Sequence, residues 1–340
     1  MNRRGFITSL AAGTSALAVG GCAKSNSSGI TSDSLGAVLP KRVLGRTGEE
    51  VTMLGIGGFH VGWTTEKDAQ EIIEAAIEGG IRFFDNAESY AKGVAEERYG
   101  KFLTPKYRDK IFLMTKTQAK DAKTTREHLE GSLSRMKTDH IDLWQIHSLR
   151  SPEDVDGRIA DGVLDVVMKA KEEGKVRHIG FTGHSNPEAN LRMLERTQDT
   201  NPFVTCQMPV NVMDASYHSF TEQVIPKLQE RNIGLLAMKT MADGRFFGMK
   251  AMPGRGMVWQ SEDPAIPARI SIRDALHYVW SLPVSVLITG AENASLVREK
   301  VDLAKSFTGM SAEQRQDLVA RVADLAAIGK TEYYKRPIDA

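Results

Sequence analysis

Residues 67–90 read KDAQEIIEAAIEGGIRFFDNAESY and contain a helix, a break and a strand in that order. The helical part, residues 67–78, carries its apolar side chains on one stripe at the spacing of an α-helix: Ala69, Ile72, Ile73, Ala76 and Ile77. The pair Gly79-Gly80 ends this helix, and the apolar run 81–84 is predicted as a buried strand. A helix, a tight turn and a buried strand form the repeating unit of a parallel α/β fold.

The same unit recurs along the chain. Further helices are predicted near 95–103, 124–136, 163–170, 223–230 and 272–280. Eight short β-branched runs are predicted as strands, at 51–56, 81–84, 111–115, 141–146, 176–181, 204–208, 233–238 and 284–288. Eight strand-helix units in about 250 residues predict an α/β fold of the (β/α)₈ TIM-barrel class. A doubly wound open sheet is the rival, but no Gly-x-Gly-x-x-Gly follows an early strand.

Three segments fall outside this alternation. Residues 41–50 are predicted as an N-terminal β-hairpin that precedes the first barrel strand. Residues 242–269 form a long loop after the seventh strand, rich in Gly, Pro and Met, and a loop of that length in a compact domain is usually functional. Residues 311–327 are predicted as an additional amphipathic C-terminal helix that packs on the barrel.

The first 40 residues predict export. Arg3-Arg4 with Phe6, followed by a short apolar stretch, resembles a twin-arginine signal peptide over residues 1–21. The run Leu17-Ala-Val-Gly-Gly-Cys22 resembles a lipoprotein cleavage site, with Cys22 as the acylated residue; a plain signal peptide with an incidental cysteine is the alternative. Residues 22–40 are predicted as a flexible tether, and residues 41–330 as the barrel domain. The predicted location is therefore the periplasm or a membrane surface facing it.

Charge and cysteine content narrow the choice of partners. The net charge is +1 over 340 residues, which gives no reason to expect nucleic acid or an anionic membrane surface as a partner. Cys22 and Cys206 are the two cysteines, so a lipidated Cys22 leaves no internal disulfide. We expect a small-molecule partner, membrane contact only through the lipid at Cys22, and a monomer by default.

Four titratable side chains follow three successive predicted strands. Asp85 and Tyr90 come after the second strand, Lys116 ends the third, and His147 ends the fourth. Because the C-terminal ends of barrel strands meet at one mouth, these groups are expected to converge there. A neighbouring ammonium favours the phenolate, so Lys116 is expected to lower the pKa of Tyr90, with Asp85 holding the lysine. Such a set suits proton transfer to a carbonyl oxygen. Singly, each residue also has an ordinary structural explanation.

At these residues the sequence resembles the aldo-keto reductase family. The motifs that carry the likeness are residues 83–90 (FFDNAESY), 114–116 (MTK), 140–147 (HIDLWQIH), 174–180 (GKVRHIG) and 288–291 (ITGA), within roughly 42–307. The resemblance implies Tyr90 as general acid/base, Lys116 and Asp85 as residues that tune it, and His147 as the group that positions the carbonyl. It also implies an NADP(H) or NAD(H) cofactor bound extended across the barrel mouth. No metal site is expected, because no cluster has the spacing of metal ligands.

The resemblance also implies a cofactor-binding set, with departures. Gln207 matches the ligand of the nicotinamide carboxamide, whereas Thr182-Gly183 stands where the family has Ser-Asn, and Met238 replaces an aromatic residue that stacks on the ring. The expected contacts are Thr182, Gly183, Gln207, Met238, Lys239, Gly290, Ala291 and Arg298. The basic residue that often binds the 2′-phosphate falls on the uncharged stretch 293–296, and Arg298 is offset from it. Arg245, Lys250 and Arg255 in the long loop are alternative phosphate contacts, although solvated loop charges are the plainer interpretation.

The substrate-pocket residues predicted from the sequence are His60, Trp63, His184, Phe246 and Phe247, and the two histidines favour a polyol or sugar. Three functions remain open at this point. The first is a reductase of aldehydes, ketones or sugars, and the second is an exported oxidoreductase that keeps its cofactor and cycles it between two substrates. The third is a non-catalytic barrel that senses nicotinamide redox state or serves as an accessory subunit.

Overall fold

The computed structural model describes residues 31–244, 246–247, 249–252, 256–259, 266, 269–326 and 331–335. Within them the chain forms fourteen strands. Two N-terminal hairpins and a loop hairpin account for six of these, namely β1 Thr31–Asp33, β2 Gly36–Val38, β3 Lys41–Val43, β4 Glu50–Thr52, β12 Met249–Met252 and β13 Gly256–Trp259. The other eight close a barrel: β5 Leu54–Gly57, β6 Phe83–Asp85, β7 Phe112–Thr117, β8 Ile141–Leu149, β9 Val176–Gly183, β10 Thr205–Pro209, β11 Gly234–Met238 and β14 Val284–Thr289.

Neighbouring barrel strands are parallel all the way round, and β14 closes the ring by pairing with β5. Helices of the described residues surround the barrel: α1 Gly58–Trp63, α2 Glu66–Glu78, α3 Val94–Phe102, α4 Thr104–Tyr107, α5 Ala122–Met136, α6 Pro152–Ala160, α7 Val163–Glu172, α8 Pro187–Arg196, α9 Phe220–Gln223, α10 Ile225–Glu230, α11 Ile272–Trp280, α12 Ala294–Lys305 and α13 Ala312–Ala326. This confirms the predicted (β/α)₈ barrel with an N-terminal hairpin. Local sequence sets where the long helices begin. In α2, the Thr65 side chain caps the first turn by accepting a hydrogen bond from the Asp68 amide.

Two layers of core hold the barrel together. The interior is filled by large side chains from the strands, with Phe83 and Phe112 stacked 5.0 Å apart between ring centroids. The second layer lies between strands and helices, where the apolar stripe of α2 is fully buried. Burying side chains on both faces of each strand explains why the strands read as continuous apolar runs in the sequence.

The structure moves some predicted boundaries. The predicted first strand, 51–56, is two elements, because Val51 and Thr52 pair with the N-terminal hairpin and the barrel strand begins at Leu54. Helices α6, α8 and α12 were not recognised in the sequence, although each begins at a capping Ser or Asn side chain. The C-terminal helix 312–326 agrees with its prediction.

Residues 31–40, predicted as the end of a flexible tether, are folded. They form the β1–β2 hairpin, where Asp33 pairs with Arg82 at 2.8 Å, and Leu39 is buried in the core. Residues 31–40 therefore belong to the folded part of the chain, which the sequence analysis had begun at residue 41. The predicted signal peptide, Cys22 and residues 22–30 lie outside the described residues. No helix of the described part is long and apolar enough to cross a bilayer.

Candidate active site

A cleft of about 450 Å³ opens at the C-terminal ends of the barrel strands. Its walls include three of the four predicted catalytic residues, Asp85, Tyr90 and His147, together with Gln207 and Met238. A smaller side cavity adjoins the cleft, and the two share His60, Lys239, Asp243, Ile288, Thr289 and Gly290. The strands thus bring the residues of the sequence motifs together at one mouth.

Lys116 lies beneath the cleft and joins the catalytic residues to one another. Its ammonium donates to Asp85 Oδ1, to the carbonyl oxygen of Asn86 at 2.6 Å and to the hydroxyl of Tyr90 at 3.2 Å. The Lys116 side chain is 0% exposed and that of Asp85 is 3% exposed. Burial lowers the pKa of the Lys116 ammonium and raises that of the Asp85 carboxyl, while their contact opposes both shifts. The Lys116 amino group, held by Asp85, therefore donates a hydrogen bond to the tyrosine hydroxyl.

The pKa of Tyr90 is well above its usual range. Shielding of the hydroxyl from water is the main cause, and the nearby carboxylates of Asp85, Glu88 and Asp243 add to it. The pKa of Tyr90 is therefore raised overall rather than lowered, because the exclusion of water and the neighbouring carboxylates dominate. Tyr90 keeps its proton at neutral pH, as a donor to a carbonyl oxygen must.

His147 completes the group on the other side of Tyr90, with the two ring centroids 5.8 Å apart. Burial, followed by the charge of Lys116, holds the pKa of His147 well below its usual range, so the imidazole is neutral near pH 7. A neutral imidazole can orient a carbonyl by hydrogen bonding without competing with Tyr90 as an acid. The ring of His184 lies 5.3 Å from that of His147 and also lines the cleft.

Gln207 provides a test of whether the cleft fits a nicotinamide. Its side chain is 1% exposed, and its Oε1 is buried without a hydrogen-bond partner in the described structure. An unpaired buried amide oxygen is costly, and a carboxamide N–H of the cofactor is a donor of the right chemistry to pair with it. Met238 presents a thioether to the same cleft, and Lys239 follows it. The residues present therefore fit the cofactor.

Thr182 and Gly183, two of the predicted cofactor contacts, end the fifth barrel strand, β9, and both have structural roles there. The hydroxyl of Thr182 accepts a hydrogen bond from the Ser148 amide at 2.7 Å, and it is fully buried. A Cβ at Gly183 would lie 1.7 Å from Oδ1 of Asn190, so the packing of Asn190 requires a glycine there. Neither Thr182 nor Gly183 lines the cleft, and their role as cofactor contacts stays a prediction.

Of the cofactor contacts predicted after the last barrel strand, Gly290 lines the cavities, whereas Ala291 and Arg298 do not. Gly290 lines both cavities, and a Cβ there would meet Nδ1 of His60 at 1.9 Å, so this close approach requires glycine. Ala291 is buried outside the cavity walls. Arg298, on α12, is 62% exposed with its guanidinium 3.9 Å from Glu78, and it lines neither cavity. The structure does not bring Arg298 to the site.

Of the predicted substrate-pocket residues, His60 and His184 line the cleft and Phe247 lines the side cavity. Phe246 is buried in the core, and Trp63, at the end of α1, is 38% exposed. Neither Trp63 nor Phe246 lines the two cavities, and their role in the substrate pocket stays a prediction. The side chains of the alternative phosphate contacts Arg245, Lys250 and Arg255 lie outside the part of the chain that the structure describes.

The sequence analysis missed several cleft residues. Some lie close to recognised motifs and could have been found by position: Gly57, Phe59, Ser89, Gln118, Ser148 and Thr289. Asp243 lies five residues after the seventh barrel strand, in the loop assigned to function. Tyr333 is different, because it reaches the cleft from the C-terminal end of the chain and no sequence signal marks it. Within the described residues, no group of His, Cys, Asp or Glu has the arrangement of a metal site.

Glu88, which lies close to the site in the sequence, has a carboxyl group whose ionisation changes near neutral pH. Its side chain is 7% exposed, and burial raises the pKa of its carboxyl to about 7. The unfolded chain ionises this group near 4.5, so its contribution to stability falls as the pH rises from there through 7. We expect Glu88→Gln to match the wild type at pH 4.5 and to be more stable by about 3 kcal/mol at pH 8. Urea unfolding of both proteins at the two pH values measures this, and an equal difference at both would contradict it.

A closed (β/α)₈ barrel whose mouth gathers Asp85, Tyr90, Lys116 and His147 around a nicotinamide-compatible cleft defines an oxidoreductase that uses NAD(P)H. The family model described as "Aldo/keto reductase family" matches residues 53–315. The chain belongs to the aldo/keto reductase family.

Curated relatives agree with this assignment. The chain is 30% identical over 220 residues to "Aldo-keto reductase YhdN" of Bacillus subtilis, a match that covers 59% of this chain and 62% of that protein. It is 26% identical over 295 residues to "Uncharacterized oxidoreductase YqkF" of the same organism, covering 78% and 91%. Among solved structures, "aldo-keto reductase AKR11C1" of Bacillus halodurans in its holo form superposes with a TM-score of 0.68 at 24% identity, covering 83% of this chain and 96% of that one. At that identity the structural match shows the fold.

Proposed function

We propose that the protein reduces the carbonyl group of an aldehyde, ketone or sugar, or oxidises the corresponding alcohol, with Tyr90 as general acid/base. The observation that carries this proposal is the single ammonium of Lys116, which contacts both the Asp85 carboxylate and the Tyr90 hydroxyl at the floor of the cleft. A donor hydroxyl backed by a buried cation suits proton delivery to an oxygen that gains negative charge.

The steps follow from the placement of each group. His147 holds the carbonyl oxygen beside Tyr90, and Tyr90 donates its proton to that oxygen. NAD(P)H, when bound, supplies the hydride that reduces the carbonyl carbon. Lys116 stabilises the resulting Tyr90 phenolate at 3.2 Å, which lowers the cost of losing the proton from a group whose pKa is otherwise raised. Gln207, Met238, Lys239 and Gly290 would hold the cofactor.

Fluorescence titration of the purified protein with NADPH and with NADH tests the proposal, followed by addition of aldehydes, ketones and sugars. We expect saturable binding of at least one nucleotide and its oxidation by a carbonyl compound. Tight nucleotide binding with neither reduction of any carbonyl compound nor oxidation of any alcohol would instead favour the non-catalytic sensor.

We also propose that the chain is exported, with a twin-arginine signal over residues 1–21 and a lipid on Cys22. The residue pattern of the N-terminus supports this proposal. Cell fractionation with mass spectrometry of the mature N-terminus tests it. Unprocessed protein in the cytoplasm of its native host would contradict export, and a mature protein without acyl mass at Cys22 would contradict the anchor alone.

A further inference from the structure

The C-terminal segment 331–335, which we term the C-terminal strap, folds back over the barrel mouth. Tyr333 is half-buried and forms part of the cleft wall. Its hydroxyl donates to the Asp243 carboxylate and accepts from the ammonium of Lys239 at 3.0 Å. Lys239 also lies 5.2 Å from the ring centroids of Tyr333 and Tyr334. The strap is therefore bonded to the loop that follows the seventh barrel strand.

A buried ion-pair cluster anchors the strap. The ammonium of Lys335 lies 2.7 Å from Asp214 Oδ1 and 2.9 Å from Glu332 Oε2, and all three side chains are 0% exposed. It also donates to the carbonyl oxygen of Tyr217 at 2.7 Å. Removing one member of such a cluster leaves buried charge unpaired, so the anchor resists opening. Nothing in the proposed chemistry requires this cluster, which leaves its role to be explained.

The strap stands where the cleft and the side cavity meet. Lys239 and Asp243, the partners of Tyr333, line both cavities. The side cavity is also lined by Lys300, which is 2% exposed and donates to the carbonyl oxygen of Leu296 at 3.3 Å. Lys300 forms no ion pair within the described residues. Burial lowers the pKa of the Lys300 ammonium, and an anionic ligand group in this cavity, which Glu292 also lines, would stabilise its charged form. A ligand that fills both cavities would therefore contact Lys239 and Asp243, the partners of Tyr333.

We propose that the C-terminal strap retains the nicotinamide cofactor, so that the cofactor is recycled in place instead of being exchanged at each turnover. The proposal rests on the proposed function. A dinucleotide carries its nicotinamide at one end and its pyrophosphate in the middle, and the cleft and side cavity offer Gln207 to the first and Lys239 and Lys300 to the second. Release from such a position requires Tyr333 to leave Lys239 and Asp243.

Retention implies a reaction between two substrates. An alcohol loses a hydride from its carbon to the oxidised cofactor and its hydroxyl proton to the Tyr90 phenolate, and it leaves as a carbonyl compound. A second carbonyl compound then takes the hydride at its carbon and the proton at its oxygen, and it leaves as an alcohol. One hydride, which carries two electrons, and one proton move in each half, and the cofactor and Tyr90 return to their starting states.

The dissociation rate of the cofactor tests this proposal directly. The full chain is loaded with NADPH or NADH, whichever binds, and mixed with a large excess of the oxidised nucleotide while the fluorescence of the bound reduced form is followed. We expect release from the wild type to be slower than turnover with an alcohol and a carbonyl compound supplied together. Tyr333→Ala and Lys335→Met are each expected to accelerate release at least tenfold, while the association rate changes less than threefold.

Lys227→Met is the matched control, because Lys227 forms the same i, i+3 ion pair with a glutamate, Glu230, but on an exposed helix surface. It is expected to release the cofactor at the wild-type rate. Far-ultraviolet circular dichroism and urea unfolding check that each variant is folded. If Lys335→Met does not fold, Tyr333→Ala decides the question, since its truncation leaves the Lys335 anchor intact.

Wild-type release rates in folded Tyr333→Ala protein would overturn the proposal. Release faster than turnover in the wild type, with normal carbonyl reduction, would overturn retention and leave the proposed function standing. Failure of the wild type to bind either nucleotide would overturn both.

Discussion

Replacing Tyr90 with phenylalanine is expected to lower kcat for carbonyl reduction by about 10²–10⁴-fold, which is the usual contribution of a general acid. The change removes only the hydroxyl that receives the Lys116 hydrogen bond at 3.2 Å. The ring remains, so its contacts with Phe59 and His147 are kept and the cleft retains its shape. Affinity for NAD(P)H is therefore expected to stay within about threefold of the wild type.

Steady-state kinetics and a fluorescence titration on the same preparation separate these two effects. Tyr107→Phe is the matched control, because Tyr107 is a partly buried tyrosine on α4 outside the cleft. It should keep wild-type kcat. A Tyr90→Phe protein with more than a tenth of wild-type kcat would show that another group delivers the proton, and His147 would then be the first residue to test.

Lys116→Met is expected to have a large effect on stability. Methionine fills much of the same volume but removes the ammonium that pairs with Asp85, whose side chain is 3% exposed. An unpaired carboxylate in that position costs about 3–5 kcal/mol of unfolding free energy near neutral pH, reduced to the extent that Asp85 takes up a proton. We expect kcat to fall by at least about 10²-fold as well, because the Tyr90 phenolate loses its counter-ion.

The double variant Asp85→Asn with Lys116→Met separates the structural effect from the chemical one. Without either charge, most of the lost unfolding free energy is expected to return, since neutral side chains replace the unpaired carboxylate. The kcat is expected to stay low, because the cation beside Tyr90 is still missing. Urea unfolding with kinetics on all four proteins measures the cycle. A double variant that regains activity would show that the lysine acts only through stability.

The barrel could be recognised from the sequence because its strands are buried on both faces and its helices on one. Such burial requires continuous apolar runs in the strands and apolar stripes with a 3.6-residue period in the helices, and both are visible in the sequence. All eight predicted strands overlap the observed barrel strands. The ends of the strands were predicted less accurately than their presence. Val51 and Thr52 look like the start of a barrel strand, yet they belong to the second strand of an N-terminal hairpin. The sequence alone did not show this, because an apolar run does not indicate which strand lies beside it.

The sequence by itself determined the eight-stranded barrel and the four residues Asp85, Tyr90, Lys116 and His147. Parallel strands carry their C-terminal ends to one mouth, so position along the chain was enough to place these groups together. Only the tertiary structure decided that Arg298 points to solvent, that Gly183 makes room for Asn190, and that Tyr333 closes one side of the cleft. The raised pKa of Tyr90 is also a tertiary property, because it depends on how far the folded chain excludes water from the hydroxyl. Contacts between distant segments, and the solvent they exclude, leave no local pattern in the sequence.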